Sequence, residues 1–219
     1  MLTVPEATEK IIKRSRYLNE AISKKIINIS SLARYIRPEL EEMLNKKVSH
    51  AAIVMSLKRL SRNIKPNYVP MDKIFKSAPE MIVRSNLVEI VIVNSHTIDE
   101  ACASVLKIAK TQPKYFCSIS KASFYTTFIM SEDMYEIAKV KIETEPIIEE
   151  FKKISSISIQ LPEESYEFPG IFYFFLKSLA WEGVNIIDVI STYLEFNIII
   201  QGKDTNRTFS ILQSLFNKS

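Results

Sequence analysis

The chain has 219 residues, 47% of them hydrophobic and 25% charged, the balance of a globular protein with room for one large domain or two small ones. No apolar run approaches the roughly eighteen residues of a membrane span, and the first residues lack the apolar core of a signal peptide, so the chain reads as cytoplasmic. Its net charge of +4 hides an asymmetry: residues 1–65 carry fourteen Lys and Arg against six Glu, and residues 66–219 carry fifteen against nineteen acids. That pattern predicts a basic module joined to a mildly acidic one, with the boundary near residues 66–70, where two prolines interrupt the helical pattern.

The basic part reads as helices. Apolar residues Ile11, Ile12, Leu18, Ile22 and Ile26 predict one helix over residues 5–27, with Pro5 in its first turn. Ser30 or Ser31 is the expected cap of a short helix holding Leu32, Ala33, Tyr35 and Ile36, and Pro38 is expected to start another over 39–44. After the turn Asn45-Lys46-Lys47, Ser49 should cap a fourth helix reaching about Asn63. Its core stripe is Ile53, Leu57, Leu60 and Ile64, which leaves Ala51, Met55, Lys58, Arg59 and Arg62 outward.

A basic helix after a short turn resembles the recognition helix of a helix-turn-helix or winged-helix domain, with residues 73–76 and 81–85 as arms of the wing. In that reading Lys58, Arg59 and Arg62 contact nucleic acid while Lys46 and Lys47 position the duplex. The bland alternative is a solvated helix face, with Ala51 and Met55 packing on another protein. His50 and His96 are isolated and read as surface or cap residues.

The acidic part alternates strands and helices. Residues 87–93 are an apolar strand broken only by Glu89, followed by a helix capped by Thr97 and carrying Ile98, Ala101, Val105 and Ile108. Strands are expected at 115–120 and 124–130, then a helix from Ser131 towards Ile137 and Val140. The spacing of Ile147, Ile148 and Phe151 predicts a helix over 145–153. A strand at 154–161, a helix at 170–181, strands at 184–194 and 196–201 and a helix at 205–216 complete the chain. Cys102 and Cys117 lie in apolar stretches without metal-ligand spacing and read as buried thiols.

Strand–helix–strand–strand–helix thus occurs twice, about seventy residues apart. This is the order of a ferredoxin-like βαββαβ unit, so the fold class is α+β: a helical domain at 1–68, a linker or wing at 69–85, and two units at 86–153 and 154–219. A final strand after Phe216 is missing, so its place must be taken by the other unit or by a second chain. The reading therefore includes a homodimer.

The second unit carries Pro169-Gly170-Ile171 at a strand–helix junction, an apolar helix, then Gly183-Val184-Asn185-Ile186 before a strand. On those residues it resembles an ACT domain, a small-molecule sensing module of amino-acid metabolism. The tandem is similar to the paired ACT domains at the regulatory end of aspartate kinases. The likeness is carried by 154–217, while 86–142 match by order of elements and lack the Gly and Asn positions. The resemblance implies an amino acid held by Phe168, Gly170, Ile171, Phe172, Val184, Asn185 and Ile186, its carboxylate at the helix N-terminus. The preceding loop carries Glu163, Glu164 and Glu167 and is more acidic than the family's compact turn.

Nothing in the sequence points to an enzyme. No glycine precedes Gly170, so there is no phosphate loop, and the two His and two Cys build no triad or metal site. The reading is a non-catalytic regulator, without metal or cofactor, in which ligand-binding ACT-like units control a nucleic-acid-binding module. The competing reading is an interaction protein whose N-terminal helices dock a metabolic enzyme, with no ligand.

Overall fold

The structure, a computed structural model, describes residues 2–64, 74–75 and 78–216. The chain divides into two units, Met1–Val69 and Pro70–Ser219. The expected boundary at 66–70 lies outside the described residues, as do Lys73 and Lys76 of the expected wing.

The first unit holds α1 (Val4–Arg14), α2 (Arg16–Ser23), α3 (Ile29–Leu44) and α4 (His50–Asn63). The single helix expected over 5–27 is two, because Ser15 leaves helical geometry and its side chain accepts the Leu18 N–H to start α2. The two helices expected on either side of Pro38 are one. Asn28, not Ser30 or Ser31, caps α3, and Pro38 sits inside it. Pro38 forfeits one helical hydrogen bond, but Ile36 and Leu40 on either side are fully buried and hold the helix through it. Ser49 caps α4 as expected by accepting the Ala52 N–H. Ser30 Oγ and His50 Nε2, 2.9 Å apart, join the starts of α3 and α4. Ile12, Ile22, Ile36, Leu40, Ile53 and Leu57 form the shared core.

The second unit runs β1 (Met81–Val93), α5 (Ile98–Ala109), β2 (Cys117–Lys121), β3 (Tyr125–Ser131), α6 (Glu132–Ile142) and β4 (Ile147–Gln160). After a short 3₁₀ turn (Glu163–Glu167) come α7 (Ile171–Trp181), β5 (Ile186–Thr192), β6 (Glu195–Gln201), a second 3₁₀ turn (Gly202–Asp204) and α8 (Thr205–Ser214). The strands form one sheet in the order β2-β3-β1-β4-β6-β5, antiparallel throughout.

Two expectations fail on β1 and β4. Residues 145–153 contain no helix; most of the segment is the first half of β4, where Phe151, Glu150 and Glu149 pair with Glu89, Ile90 and Val91. Pairing with a strand already fixed by its own apolar run overrides the local helical spacing. Residues 81–85 are likewise not an arm of a wing, since Met81 to Arg84 pair with Ile159 to Ser156.

Those pairings supply the missing strand. The second half of β1 and the first half of β4 are strands one and four of the first ferredoxin-like unit, in the order β4-β1-β3-β2. The second half of β4 and the first half of β1 play the same parts for the second unit, beside β6 and β5. The fourth strand of the second unit comes from within the chain, so the open edge that called for a second copy does not exist. Asn86 (φ 56) and Lys153 (φ 53) mark the changeover, where β1 bulges by one residue between Arg84 and Leu87.

Helices α5 and α6 cover Val88, Ile90, Ile92, Phe128 and Met130. In the second half Phe175 of α7 stacks on Phe196 of β6 at 5.7 Å and meets Phe75 and Phe216 edge-on or tilted. On the other face Leu87, Ile129, Ile154 and Ile199, all from strands, are almost wholly buried. The sheet is curled, so its two halves cover each other. Glu89 of the first half feels the charge of Asp188 in the second, although a flat sheet would hold β1 and β5 roughly 14 Å apart.

Two glycines serve this frame differently. Gly183 ends α7 at φ 69, donating to Ala180 while Val184 donates to Leu179, and a methyl group there would meet nothing within 4 Å. Gly202 sits where an added Cβ would lie 2.6 Å from the carbonyl oxygen of Lys153, on the bend of β4. Gly183→Ala should therefore cost about 1 kcal/mol from backbone strain alone. Gly202→Ala should cost about 3 kcal/mol, because a backbone atom must move. Urea denaturation of both variants checks the order; equal losses would mean that the close approach at Lys153 is not rigid.

Candidate functional site

Three places in the two units gather functional chemistry. The first is the start of α7. Gly170 precedes the helix in left-handed geometry (φ 94), and no side chain caps the first turn, which leaves its N–H groups unsatisfied by a cap. A cavity of about 470 Å³ opens there, lined by Phe168, Gly170, Ile171 and Phe172 together with Tyr166, Tyr173 and Tyr193. Four of the residues expected to hold a ligand are thus brought together.

The other three are not. Val184, Asn185 and Ile186 follow the far end of α7, whose eleven residues span about 16 Å. Val184 is buried as the residue after the helix-ending Gly183, while Asn185 is exposed. The three tyrosines are the members that sequence reasoning missed. Tyr166 and Tyr173 neighbour the expected set, but Tyr193 reaches the cavity only through the fold.

The second place is α4. Ala51, Met55, Lys58, Arg59 and Arg62 are all exposed, as the helical spacing predicted. Met55, Lys58, Arg59 and Arg62 border a groove of about 580 Å³ against Val4 and Pro5 at the start of α1. The three cations have no ion-pair partner among the described residues.

Lys46 and Lys47 border a separate groove with Arg34 and Arg37. Lys47 is already paired, at 3.2 Å, with Glu41. Glu41 also accepts the Val48 N–H and the Arg37 Nε–H, each at 2.9 Å. The backbone hydrogen bond, then Arg37, then Lys47, hold its carboxyl down at about 2. Glu41 therefore fixes the turn between α3 and α4, the loop ahead of the basic face.

The third place is the interior of the curled sheet. Glu89, read from sequence as a break in an apolar strand, is 4% exposed and its Oε2 has no hydrogen-bond partner. Burial, and secondly the charge of Asp188, push its carboxyl up to about 7. Nearby on the same face, Arg84 donates to Ser158 Oγ at 2.8 Å and lies over the Phe116 ring, and Ser158 donates to Asn197. Cys102 and Cys117 pack at the edge of the core of the first ferredoxin-like unit and are half-buried rather than buried, with burial raising both thiols and Cys117 to about 11.

Among the described residues no cluster of three His, Cys, Asp or Glu side chains is placed to hold a metal. No helix among them is long and apolar enough to cross a membrane.

Glu89 yields a pH prediction with a definite sign. Its folded value lies above the ordinary 4.5, so the folded state holds the proton longer and the acid favours folding most at low pH. Stability should fall as pH rises from about 4.5 to about 7, by at most about 3 kcal/mol, and be flat above. Glu89→Gln should remove that fall and be the more stable protein at pH 8. Denaturation midpoints across pH 4.5–8 that decline equally in both proteins would show that Glu89 is not the group responsible.

No family model matches the chain, and no curated protein matches it in sequence. Solved structures do match its fold. Aspartate kinase from Clostridium acetobutylicum aligns with 64% of this chain at 12% identity and a TM-score of 0.53, over 35% of its own length. Aspartate kinase from Synechocystis aligns with 76% at 13% identity and a TM-score of 0.51, over 31% of its length. The chain thus spans about a third of these two kinases. The regulatory subunit of aspartate kinase from Thermus flavus aligns over its whole length with 64% of this chain, at 12% identity and a TM-score of 0.50. The second unit has the fold of the ACT-domain pair in the regulatory region of aspartate kinases.

Proposed function

We propose that the chain is a non-catalytic regulator whose ACT-like pair binds a small effector, an amino acid, at the start of α7, and whose basic α4 face is the output. The observation that carries this reading is the open cavity at the start of α7, where no side chain caps the helix, within an ACT fold. Two copies would add to each other along β2 or β5, the outer strands of the sheet. In such a dimer Asn185 of one copy can complete the cavity of the other, which reconciles its distance from Gly170 with a role in binding.

A thermal-shift screen against the twenty amino acids tests the effector. A ligand at 100 times its Kd should add about 2.7 kcal/mol of stability. Loss of that shift in Asn185→Ala would place the site between two copies; loss only in Phe172→Ala would place it within one. No shift with any amino acid overturns the effector reading.

The output is nucleic acid, on the strength of three exposed cations along one helix face that have no ion-pair partner among the described residues. Duplex binding should weaken linearly in log salt, and Arg59→Ala with Arg62→Ala should lower the slope by roughly 2. Ala51 and Met55, the latter 67% exposed amid these charges, favour the second reading, in which the helices dock a metabolic enzyme. Absent or salt-insensitive duplex binding would replace the first reading by the second.

A further inference from the structure

The cavity at the start of α7 has a chemical character of its own. Five of its lining side chains are aromatic, and neither lysine nor arginine lines it. Tyr166 and Tyr193 are 73% and 79% exposed at its rim. Neither makes a ring–ring contact among the described residues, whereas Phe172 is seated on Phe196 inside. The 3₁₀ turn that brings Tyr166 to the rim also carries Glu163, Glu164 and Glu167, all exposed and without an ion-pair partner among the described residues.

Tyr193 is the most telling member. It occupies the first position of the two-residue turn between β5 and β6 at φ 47, where Gly or Asn would sit at least cost. A bulky residue in that conformation is strained, and its ring, 79% exposed, is not buried in a core that would offset this. Aromatic rings at a solvent-facing cavity beside uncompensated negative charge attract a cation whose own surface is apolar. The same preference is visible alongside, where Lys177 of α7 lies with its Nζ 5.5 Å from the Tyr173 ring centre.

The corresponding junction of the first ferredoxin-like unit, between β1 and α5, is built differently. There Glu145, almost wholly buried, accepts hydrogen bonds from Thr97 Oγ1 at 2.7 Å and from Ser95.

We propose that this cavity takes a small ammonium compound whose nitrogen carries alkyl groups, held among Tyr166, Tyr173 and Tyr193. It rests on the reading of the α7 cavity as the effector site and narrows the effector to this class. Calorimetric titration of the full chain with choline chloride, against the uncharged isostere 3,3-dimethyl-1-butanol at matched ionic strength, tests it. Choline should bind once per chain and about tenfold tighter than the isostere. Tyr193→Asn should raise the melting temperature, because it relieves the turn, yet weaken choline binding about tenfold. A ring with a purely structural role cannot give opposite signs. Equal binding of the isostere, absence of choline binding, or wild-type affinity in Tyr193→Asn would overturn the proposal. The twenty amino acids in the same assay separate the two readings: an amino acid bound equally by wild type and Tyr193→Asn overturns the ammonium proposal and leaves the amino-acid reading standing. Choline binding without any amino-acid binding does the reverse.

Discussion

The pairing of β1 with β4 along almost their whole length is the contact on which the second unit depends. Each strand is long enough to be an outer strand of one ferredoxin-like unit and a central strand of the other. β1 bulges by one residue at Asn86, and β4 bulges by one residue at Lys153 just beyond the Leu87–Ile154 pair, which restores the register. The two bulges let the sheet bend, and the bend lets Leu87, Ile129, Ile154 and Ile199 cover one another. Gly202 belongs to the same constraint, since its turn leaves no room for a side chain beside Lys153. The influence of Asp188 on Glu89 is a consequence of it, since the two acids would lie roughly 14 Å apart on a flat sheet. A buried carboxyl with a free oxygen opposes that closure once it ionises.

The order of strands and helices was legible because most elements carry their own period and their own punctuation. Residues 87–93 are an almost unbroken apolar run, and Gly183 and Asn185 bracket a helix end and a strand start. What could not be read is what depends on a distant partner. Ile147, Ile148 and Phe151 suit a helix face, yet the three are wholly or partly exposed along a strand, and pairing with β1 decided their state. Met81 to Arg84 carry no signal that they are strand four of a unit beginning seventy residues later. In the first unit the cap at Ser15 divides one apolar stripe into two helices, whereas Pro38 divides nothing, because the burial of Ile36 and Leu40 holds the helix through it.

The candidate sites divide along the same line. The basic face of α4 is a local property of one helix, so its five outward residues follow from spacing alone. The aromatic cavity is assembled from a 3₁₀ turn, a helix start and a hairpin turn, and no spacing rule connects Tyr166 with Tyr193. Glu41 shows a third case. Three donors converge on one carboxylate, and the only local hint is the Arg37–Glu41 spacing on α3. It neutralises Lys47, while Lys58, Arg59 and Arg62 have no ion-pair partner among the described residues, so α4 keeps the charge of its outward face.

The two ACT-like units are alike in strand order and unlike in what lies at the strand–helix junction, and this difference decides how a signal could be made. In the first, Glu145 satisfies Ser95 and Thr97 from within. In the second, the helix start is uncapped and the cavity beside it is rimmed by rings that gain from being covered. A ligand changes an equilibrium only by binding two states unequally, so an open junction is the one that can couple. The proposed effector site lies close to the shared strands: Tyr193 joins β5 to β6, β6 pairs with β4 from Gln160 to Ile154, and β4 is one of the two strands shared by both halves.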